Sequence, residues 1–248
     1  MTVTRAEAVL TAKAELDFAA AARIFAGAEL RRIGGAVVSR VPALPNHVPY
    51  NKARGFTLAD AVHLPAVEAF YAEAGVRAAV EVWEGDSSDD LHGLLRSAGL
   101  APTAPTAALH RRPGGDGLGA VQVDEVAGEH LDVLLAGYEV GPDATAFRTM
   151  LAIEQATPGL RRYLAFVDGR PAAAAALFTH GGTSLLAGAA TVPEFRRRGC
   201  QAALVARRLA DAAADSDLVV VTAASGSVSH KNLTRLGFEM THTRTVWR

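Results

Sequence analysis

Residues 187–204 read AGAATVPEFRRRGCQAAL and form the most informative stretch of the 248-residue chain. A strand of small residues runs into a turn at Pro193, then into a basic loop and a helix that begins near Gly199. The first turn of a helix carries backbone N–H groups without helical partners and the positive end of the helix dipole. Because the arginines at 196–198 add positive charge and Gly199 permits close backbone approach, the stretch predicts a phosphate-binding loop.

The segments around this loop alternate between strand and helix patterns. The C-terminal half predicts strands at 120–126, 163–167, 171–178, 184–190, 218–223 and 238–247, and helices at 129–140, 143–155, 199–214 and 227–236. Asp168 and Gly169 are typical of a two-residue hairpin turn, Asp143 of a helix N-cap, and Ser227 of a second cap. Antiparallel hairpins followed by a βαβ unit predict an α/β fold class with a mixed sheet.

The run RRPGGDGLG at 111–119 contains four glycines and a proline, which fits a linker better than a helix or strand. We therefore predict an N-terminal domain at 1–112, a linker at 113–119 and a C-terminal domain at 120–248. The N-terminal piece predicts helices at 4–26, 65–74 and before Gly99, and strands at 36–41, 78–83 and 106–111. Both pieces end with a short helix running into a glycine, which indicates a duplicated module.

Composition excludes several classes of function. The net charge of −1 and the lack of a basic run argue against a nucleic-acid partner. A single cysteine, Cys200, excludes an internal disulfide, and the eight histidines show no metal-ligand spacing, so we expect no metal. No signal-peptide pattern or bilayer-length apolar segment is present, which predicts a soluble, cytoplasmic protein without membrane association.

Three features resemble the GNAT acyltransferase superfamily. The loop RRRGCQA at 196–202 is similar to the family's Arg/Gln-x-x-Gly-x-Gly/Ala pyrophosphate loop, with Gln201 in place of the second glycine. The preceding ATVPEF at 190–195 matches the family's strand end and turn, and LTRLGF at 233–238 resembles its closing helix-to-strand signature. The resemblance covers about residues 120–248 and implies a GNAT-like fold. Residues 49–56 and 65–74 resemble the degenerate first module of tandem GNAT proteins.

The resemblance implies direct transfer of an acyl group, most simply acetyl from acetyl-CoA, to the amine of a small-molecule acceptor. A backbone N–H near Ala190 or Val192 would polarise the thioester carbonyl. Cys200 is expected to be a small buried thiol rather than a nucleophile. The residues expected to contact CoA lie at the strand end, in the loop and on the last helix: Thr191, Val192, Arg197, Arg198, Gly199, Cys200, Gln201, Ala202 and Asn232.

Many family members carry a tyrosine four residues before the closing glycine, placed to protonate the departing thiolate. This chain has Leu233 at that position, so Asn232, Ser229 or water would have to replace it. A general base could act through water, the candidates being Glu154, His230 and His242, although a solvated helix carboxylate is the favoured interpretation of Glu154.

The missing tyrosine keeps other functions open. The chain could be an acyl-CoA-binding regulatory or structural protein without catalysis, a protein-lysine acetyltransferase or an O-acyltransferase, and either a monomer or a homodimer. We expect the N-terminal piece to shape the acceptor pocket through its proline-rich loop at 42–55, so that changes at Tyr50 or Asn51 alter acceptor preference.

Overall fold

The computed structural model describes residues 2–83, 85, 88–115 and 121–248 of the chain. It divides into two compact units. Unit 1 comprises Met1–Lys13, His110–Val221 and Arg235–Glu239, and unit 2 comprises Ala14–Leu109, Thr222–Thr234 and Met240–Arg248. Both units are assembled from separate segments, whereas the sequence pattern divides the chain once. Residues 116–119 of the predicted linker and residue 120 lie outside the described residues, and the roles assigned to the two pieces remain predictions.

Eleven strands and seven α-helices are present among the described residues. The strands are β1 (Glu29–Ile33), β2 (Ala36–Arg40), β3 (Lys52–Arg54), β4 (Val80–Trp83), β5 (Thr106–Arg111), β6 (Gln122–Val126), β7 (Arg161–Val167), β8 (Arg170–His180), β9 (Thr183–Thr191), β10 (Leu218–Ala224) and β11 (Glu239–Trp247). The helices are α1 (Thr2–Ala21), α2 (Leu64–Ala72), α3 (Asp89–Ser97), α4 (His130–Gly137), α5 (Thr145–Gln155), α6 (Cys200–Ala212) and α7 (Val228–Arg235).

In unit 1 the strands follow the order β10-β9-β8-β7-β6. Neighbours are antiparallel except β9 and β10, which run parallel and are joined through α6. The central strand β8 contains alanines at 172–176 that are all 0% exposed. Because successive residues point to opposite faces of a sheet, this run shows that both faces of β8 are covered. The predicted mixed α/β sheet is confirmed.

In unit 2 the strands follow the order β1-β2-β3-β4-β11-β5. The pair β3 and β4 is parallel and joined through α2, and β11 pairs antiparallel with β4. Side chains of α2 and α3, among them Phe70 and Leu95, pack with Val80 and Val82 in one core cluster. The last strand of the chain therefore lies between β4 and β5, and its residues from Met240 onward belong to unit 2.

Of the turn and the two helix caps predicted from local sequence, the turn and one cap are confirmed. The Asp168–Gly169 turn is confirmed, since it joins β7 to β8 with φ values of +52° and +74°. Ser227 also caps α7, accepting a hydrogen bond from the N–H of His230 at 3.1 Å. The predicted Asp143 cap is wrong, because α5 begins at Thr145 after Ala144 and has no side-chain cap.

Strands β1 and β3 were not predicted. The sequence of β1, ELRRI, is mostly charged and its residues are half-buried or exposed, as is common in an edge strand. Strand β3 has only three residues, fewer than a period-2 pattern needs to be recognised. Helix α1 ends at Ala21, five residues before the predicted end, and tight turns follow it.

Within the described residues, no helix is both long and apolar enough to cross a bilayer. The same residues contain no group of three or more histidine, cysteine, aspartate or glutamate side chains placed to hold a metal ion.

Candidate active site

The loop between β9 and α6 has the backbone conformation that an anion site needs. After a short turn at Pro193–Phe195, Arg197 adopts a φ of +64° and Gly199 a φ of +83°. Gly199 is the N-cap of α6 and has no side chain to cap the helix. The N–H groups of the first turn of α6 therefore keep the capacity to bind an anion, and the 13-residue helix adds its dipole.

The three loop arginines have different surroundings. Arg196 donates to the carboxylate of Glu139 at 2.8 Å and to the carbonyl of Gly137 at 3.3 Å. Arg198 donates to the carboxylate of Asp168 at 3.0 Å. Arg197 is exposed and forms no hydrogen bond or ion pair with any residue that the structure describes. Its guanidinium is consequently the one already available to an anion.

Strand β9 bulges at Gly188. Ala189 pairs with Ala175 and Ala187 with Ala176, so Gly188 is the extra residue, and its φ is +31°. A Cβ at Gly188 would lie 3.0 Å from Nε2 of Gln155. The bulge thus brings the backbone of β9 against a side chain of α5, which a larger residue would prevent.

The bulge determines which N–H groups of β9 point towards β8 and which point away from it. The N–H of Val192 donates to the carbonyl of Ala172 at 3.0 Å, so it is engaged towards β8. Because successive N–H groups of a strand alternate in direction, the amide of Ala190 also points towards β8, and those of Ala189 and Thr191 point to the other edge. The amides near Ala190 that point away from β8 are therefore those of Ala189 and Thr191, and a carbonyl-polarising role for an N–H in this region stays a prediction.

Tyr138 lies at the end of α4, and its hydroxyl accepts a hydrogen bond from the N–H of Ala189. Burial of the hydroxyl and the nearby carboxylate of Glu154 raise the pKa of Tyr138, against the opposing effects of the Ala189 amide and of Arg208. Although 43% of the residue is exposed, its hydroxyl therefore stays protonated at neutral pH and can donate a proton. This residue could not be identified from the sequence, because a tyrosine after a short apolar helix has no distinctive pattern.

A buried pair of polar side chains, one on α4 and one on α5, lies next to the bulge of β9. His130 and Gln155 are 3% and 4% exposed, and the imidazole Nε2 lies 2.8 Å from the amide Oε1. Burial lowers the pKa of His130 despite its hydrogen bond to Gln155, so the imidazole is neutral. Helix α4 also approaches β9 closely at Gly137, because a Cβ at this position would lie only 2.6 Å from the Cβ of Ala190. Helices α4 and α5 therefore hold this part of β9 in place.

The other predicted site residues lie in several environments. Cys200 is 2% exposed and burial raises the pKa of its thiol, which agrees with a buried, protonated thiol. Thr191, Val192 and Gln201 are half-buried and Ala202 is exposed. On α7, Ser229 is exposed and Asn232 half-buried, whereas Leu233 is 2% exposed. The position at which the GNAT resemblance implies a tyrosine thus packs inward, and roles for Ser229 and Asn232 remain predictions.

The three candidate bases also differ. Glu154 is half-buried on α5, next to Gln155 and close enough to Tyr138 to raise its pKa. His230 accepts a hydrogen bond from the N–H of Gly226 at its Nδ1, 3.0 Å away, and so helps to order the turn before α7. His242 is 4% exposed in unit 2, with its ring 6.3 Å from that of Trp83. Of the three, only Glu154 is shown near the bulged part of β9.

Unit 2 contains a β3-α2-β4 crossover like the β9-α6-β10 crossover of unit 1, but its loop has the opposite charge. The residues before α2 include no arginine, and Asp60 accepts hydrogen bonds from the N–H groups of Gly35 and Thr57 at 2.6 and 3.0 Å. Burial opposes ionisation of Asp60, but these bonds outweigh it and lower its pKa. A phosphate would meet a buried carboxylate here, so this loop does not resemble an anion site.

The loop at 42–55 is held by its own side chains. The amide of Asn51, 2% exposed, accepts from the N–H of Val41 at 2.7 Å and donates to the carbonyls of Leu44 and His47 at 2.7 and 3.0 Å. Tyr50 is 6% exposed and packs edge-on against Phe18. Changes at these two residues should therefore disturb folding of the loop, and their effect on acceptor preference stays a prediction.

Comparisons with known proteins agree with this geometry. Residues 136–221 match the model of an acetyltransferase (GNAT) domain. A GCN5-related N-acetyltransferase from Kribbella flavida is similar in structure, with a TM-score of 0.64 and 18% identity over 94% of this chain and 93% of that one. A tandem GNAT protein from the clavulanic acid biosynthesis pathway gives a TM-score of 0.62 and 14% identity over 94% and 86% of the two chains.

A functionally unknown conserved protein from Staphylococcus epidermidis has the same fold, with a TM-score of 0.64 and 13% identity over 91% of this chain and 95% of that one. A search of curated protein sequences gives no significant match. At these identities the structural similarities show the fold alone, and the match to the GNAT domain model covers the segment from the end of α4 into β10.

Proposed function

Because residues 136–221 match the model of a GNAT acetyltransferase domain, we propose that the chain transfers an acetyl group from acetyl-CoA to the amine of a small-molecule acceptor. One observation carries the proposal: the uncapped, arginine-bearing start of α6 directly follows a bulged β9 whose Ala189 amide points away from β8. An anion site and a carbonyl-polarising donor thus lie at the same end of one strand.

The residues present fit the pyrophosphate of CoA. Gly199 leaves the first-turn amides of α6 without a side-chain cap, and Arg197 supplies a guanidinium with no partner among the described residues. Arg198 could join it, since its pair with Asp168 is between side chains that are 47% and 74% exposed. Exposed pairs of this kind contribute only about 0–1 kcal/mol, so exchanging the carboxylate for a phosphate costs little.

When bound, acetyl-CoA supplies an activated thioester, and the chain supplies its hydrogen-bond donors. We propose that the thioester carbonyl displaces the Tyr138 hydroxyl from the N–H of Ala189, that this N–H then polarises the carbonyl, and that the released hydroxyl donates its proton to the departing sulfur. The C–N bond forms as the C–S bond breaks, and the proton lost by the amine passes through water to Glu154. Transfer of that proton from Glu154 to Tyr138 restores both groups.

Calorimetry and thiol-release assays together test whether the donor is acetyl-CoA and whether the acceptor is a small amine. We expect isothermal calorimetry to give micromolar-range affinity for acetyl-CoA, and thiol release to rise above hydrolysis with at least one member of a panel of small primary amines. A panel of lysine-containing peptides and a panel of alcohols are the controls. Binding without release on any panel would establish the non-catalytic alternative, and release only with peptides or alcohols would replace the acceptor class. Absence of binding at millimolar acetyl-CoA would overturn the proposal.

The loop arginines allow a matched comparison. We expect Arg197→Ala to weaken CoA binding roughly tenfold or more, since a charge-assisted hydrogen bond contributes about 1.5–3 kcal/mol. Arg196→Ala removes the same charge from the same loop, but its guanidinium already binds Glu139 and Gly137, so we expect a change of less than about threefold. Calorimetry on both variants measures this, and equal losses would show that net charge, not a specific contact by Arg197, binds the phosphates.

A further inference from the structure

Unit 2 contains a cavity of about 330 Å³ that plays no part in the site described above. It lies between α3 and β11. Thr243, Thr245 and Trp247 alternate along β11 and so share one face of it, while His92 and Arg96 are four residues apart on α3. The volume is at the small end of the range typical of ligand sites, which suits a compact molecule.

The polar groups around this cavity are rich in hydrogen-bond donors. Arg96 contributes a guanidinium, the threonines contribute hydroxyls and Trp247 an indole N–H. Among the described residues that line the cavity, none is acidic. The lining therefore favours a ligand that accepts hydrogen bonds and carries negative charge.

Trp247 provides the second, independent observation. It is 2% exposed, and its Nε1 has no hydrogen-bond partner within the part of the chain that the structure describes. A buried donor without a partner loses its hydrogen bond to water without compensation, so such groups normally have an acceptor. The His92 ring lies 4.9 Å from the indole at 31°, and the Arg96 guanidinium lies 5.6 Å from the ring centroid.

We propose that this cavity binds a small organic carboxylate through Arg96 and the Nε1–H of Trp247. The planar fork of an arginine matches the two oxygens of a carboxylate, whereas the indole offers one further donor. Val82, Pro102 and the indole ring supply apolar surface for the hydrocarbon part of the ligand. The site is separate from the proposed acetyl-CoA site, and its test does not require catalysis.

The two tryptophans of the chain make the indole N–H a direct reporter. In the ¹⁵N-labelled full-length protein we expect benzoate to shift one indole N–H resonance saturably and to leave the other in place. Trp83→Phe assigns the remaining peak to Trp247. Benzyl alcohol, of similar size and uncharged, should bind at least roughly tenfold more weakly, because it cannot form the charge-assisted pair. Inorganic phosphate separates a carboxylate site from a general anion site and should also bind more weakly.

Arg96→Gln should weaken benzoate binding roughly tenfold or more, and Arg77→Gln, which changes another exposed arginine of unit 2 that does not line the cavity, should not. The proposal is overturned by an unshifted Trp247 resonance, by equal affinities for benzoate and benzyl alcohol, by tighter binding of phosphate, or by an Arg96→Gln variant that binds normally. Acetyl-CoA affinity measured on the same samples reports on the other site, so failure of one proposal is distinguishable from failure of the other.

Discussion

Gly199→Glu is expected to abolish acetyl-CoA binding in a protein that remains folded. Gly199 has a φ of +83° and is the N-cap of α6. A side chain in this left-handed conformation costs roughly 1–2 kcal/mol, and the nearest atom to its Cβ would be Cγ2 of Val121 at 3.7 Å, an ordinary contact. The new carboxylate would instead occupy the anion position and bind the first-turn amides itself.

Gly181→Glu is the matched control. Gly181 also has a positive φ, of +55°, and no atom lies within 4 Å of its Cβ position, but it is in the turn at the other end of β9. Both variants therefore carry the same backbone strain and the same added charge. We expect Gly181→Glu to bind acetyl-CoA normally, and Gly199→Ala to retain most of the affinity. Normal binding by a folded Gly199→Glu protein would show that the phosphates bind elsewhere.

The conformation of the loop between β9 and α6 could be predicted from the sequence because all of its parts are local. A strand end, a turn, a glycine and arginines within a dozen residues specify the conformation of this loop without help from the rest of the chain. The two-residue turn at Asp168 and the cap at Ser227 were predictable for the same reason. Such features depend on backbone dihedral angles and on hydrogen bonds between near neighbours.

The residues around the β9 amide could not be predicted in this way. Tyr138, His130 and Gln155 come from two helices and meet β9 only through tertiary packing. The direction of the Ala189 amide depends on a one-residue bulge, which shifts every N–H after it to the other edge. Pairing partners of a strand are likewise not encoded locally, so the sequence pattern could not show that β11 lies between β4 and β5.

Tyr138→Phe is expected to lower the turnover number by roughly 10²–10⁴-fold, the usual contribution of a general acid. Acetyl-CoA affinity should stay within about twofold or tighten slightly, because the hydroxyl that accepts from the Ala189 amide is gone and the amide is freed for the carbonyl. The effect should therefore appear in kcat and not in the binding constant measured by calorimetry.

Tyr71→Phe removes a hydroxyl from the core of unit 2 and serves as the control, with turnover expected to be unchanged. The pH profile adds a readout that a purely structural role would not move. The pKa of Tyr138 is raised above the ordinary tyrosine value of about 10, so wild-type turnover should not fall from loss of this proton below that pH. The Phe variant should recover part of its rate with an acyl donor whose thiol leaves more readily, since such a donor needs less protonation. An equal deficit with both donors would mean that Tyr138 positions β9 and does not transfer a proton.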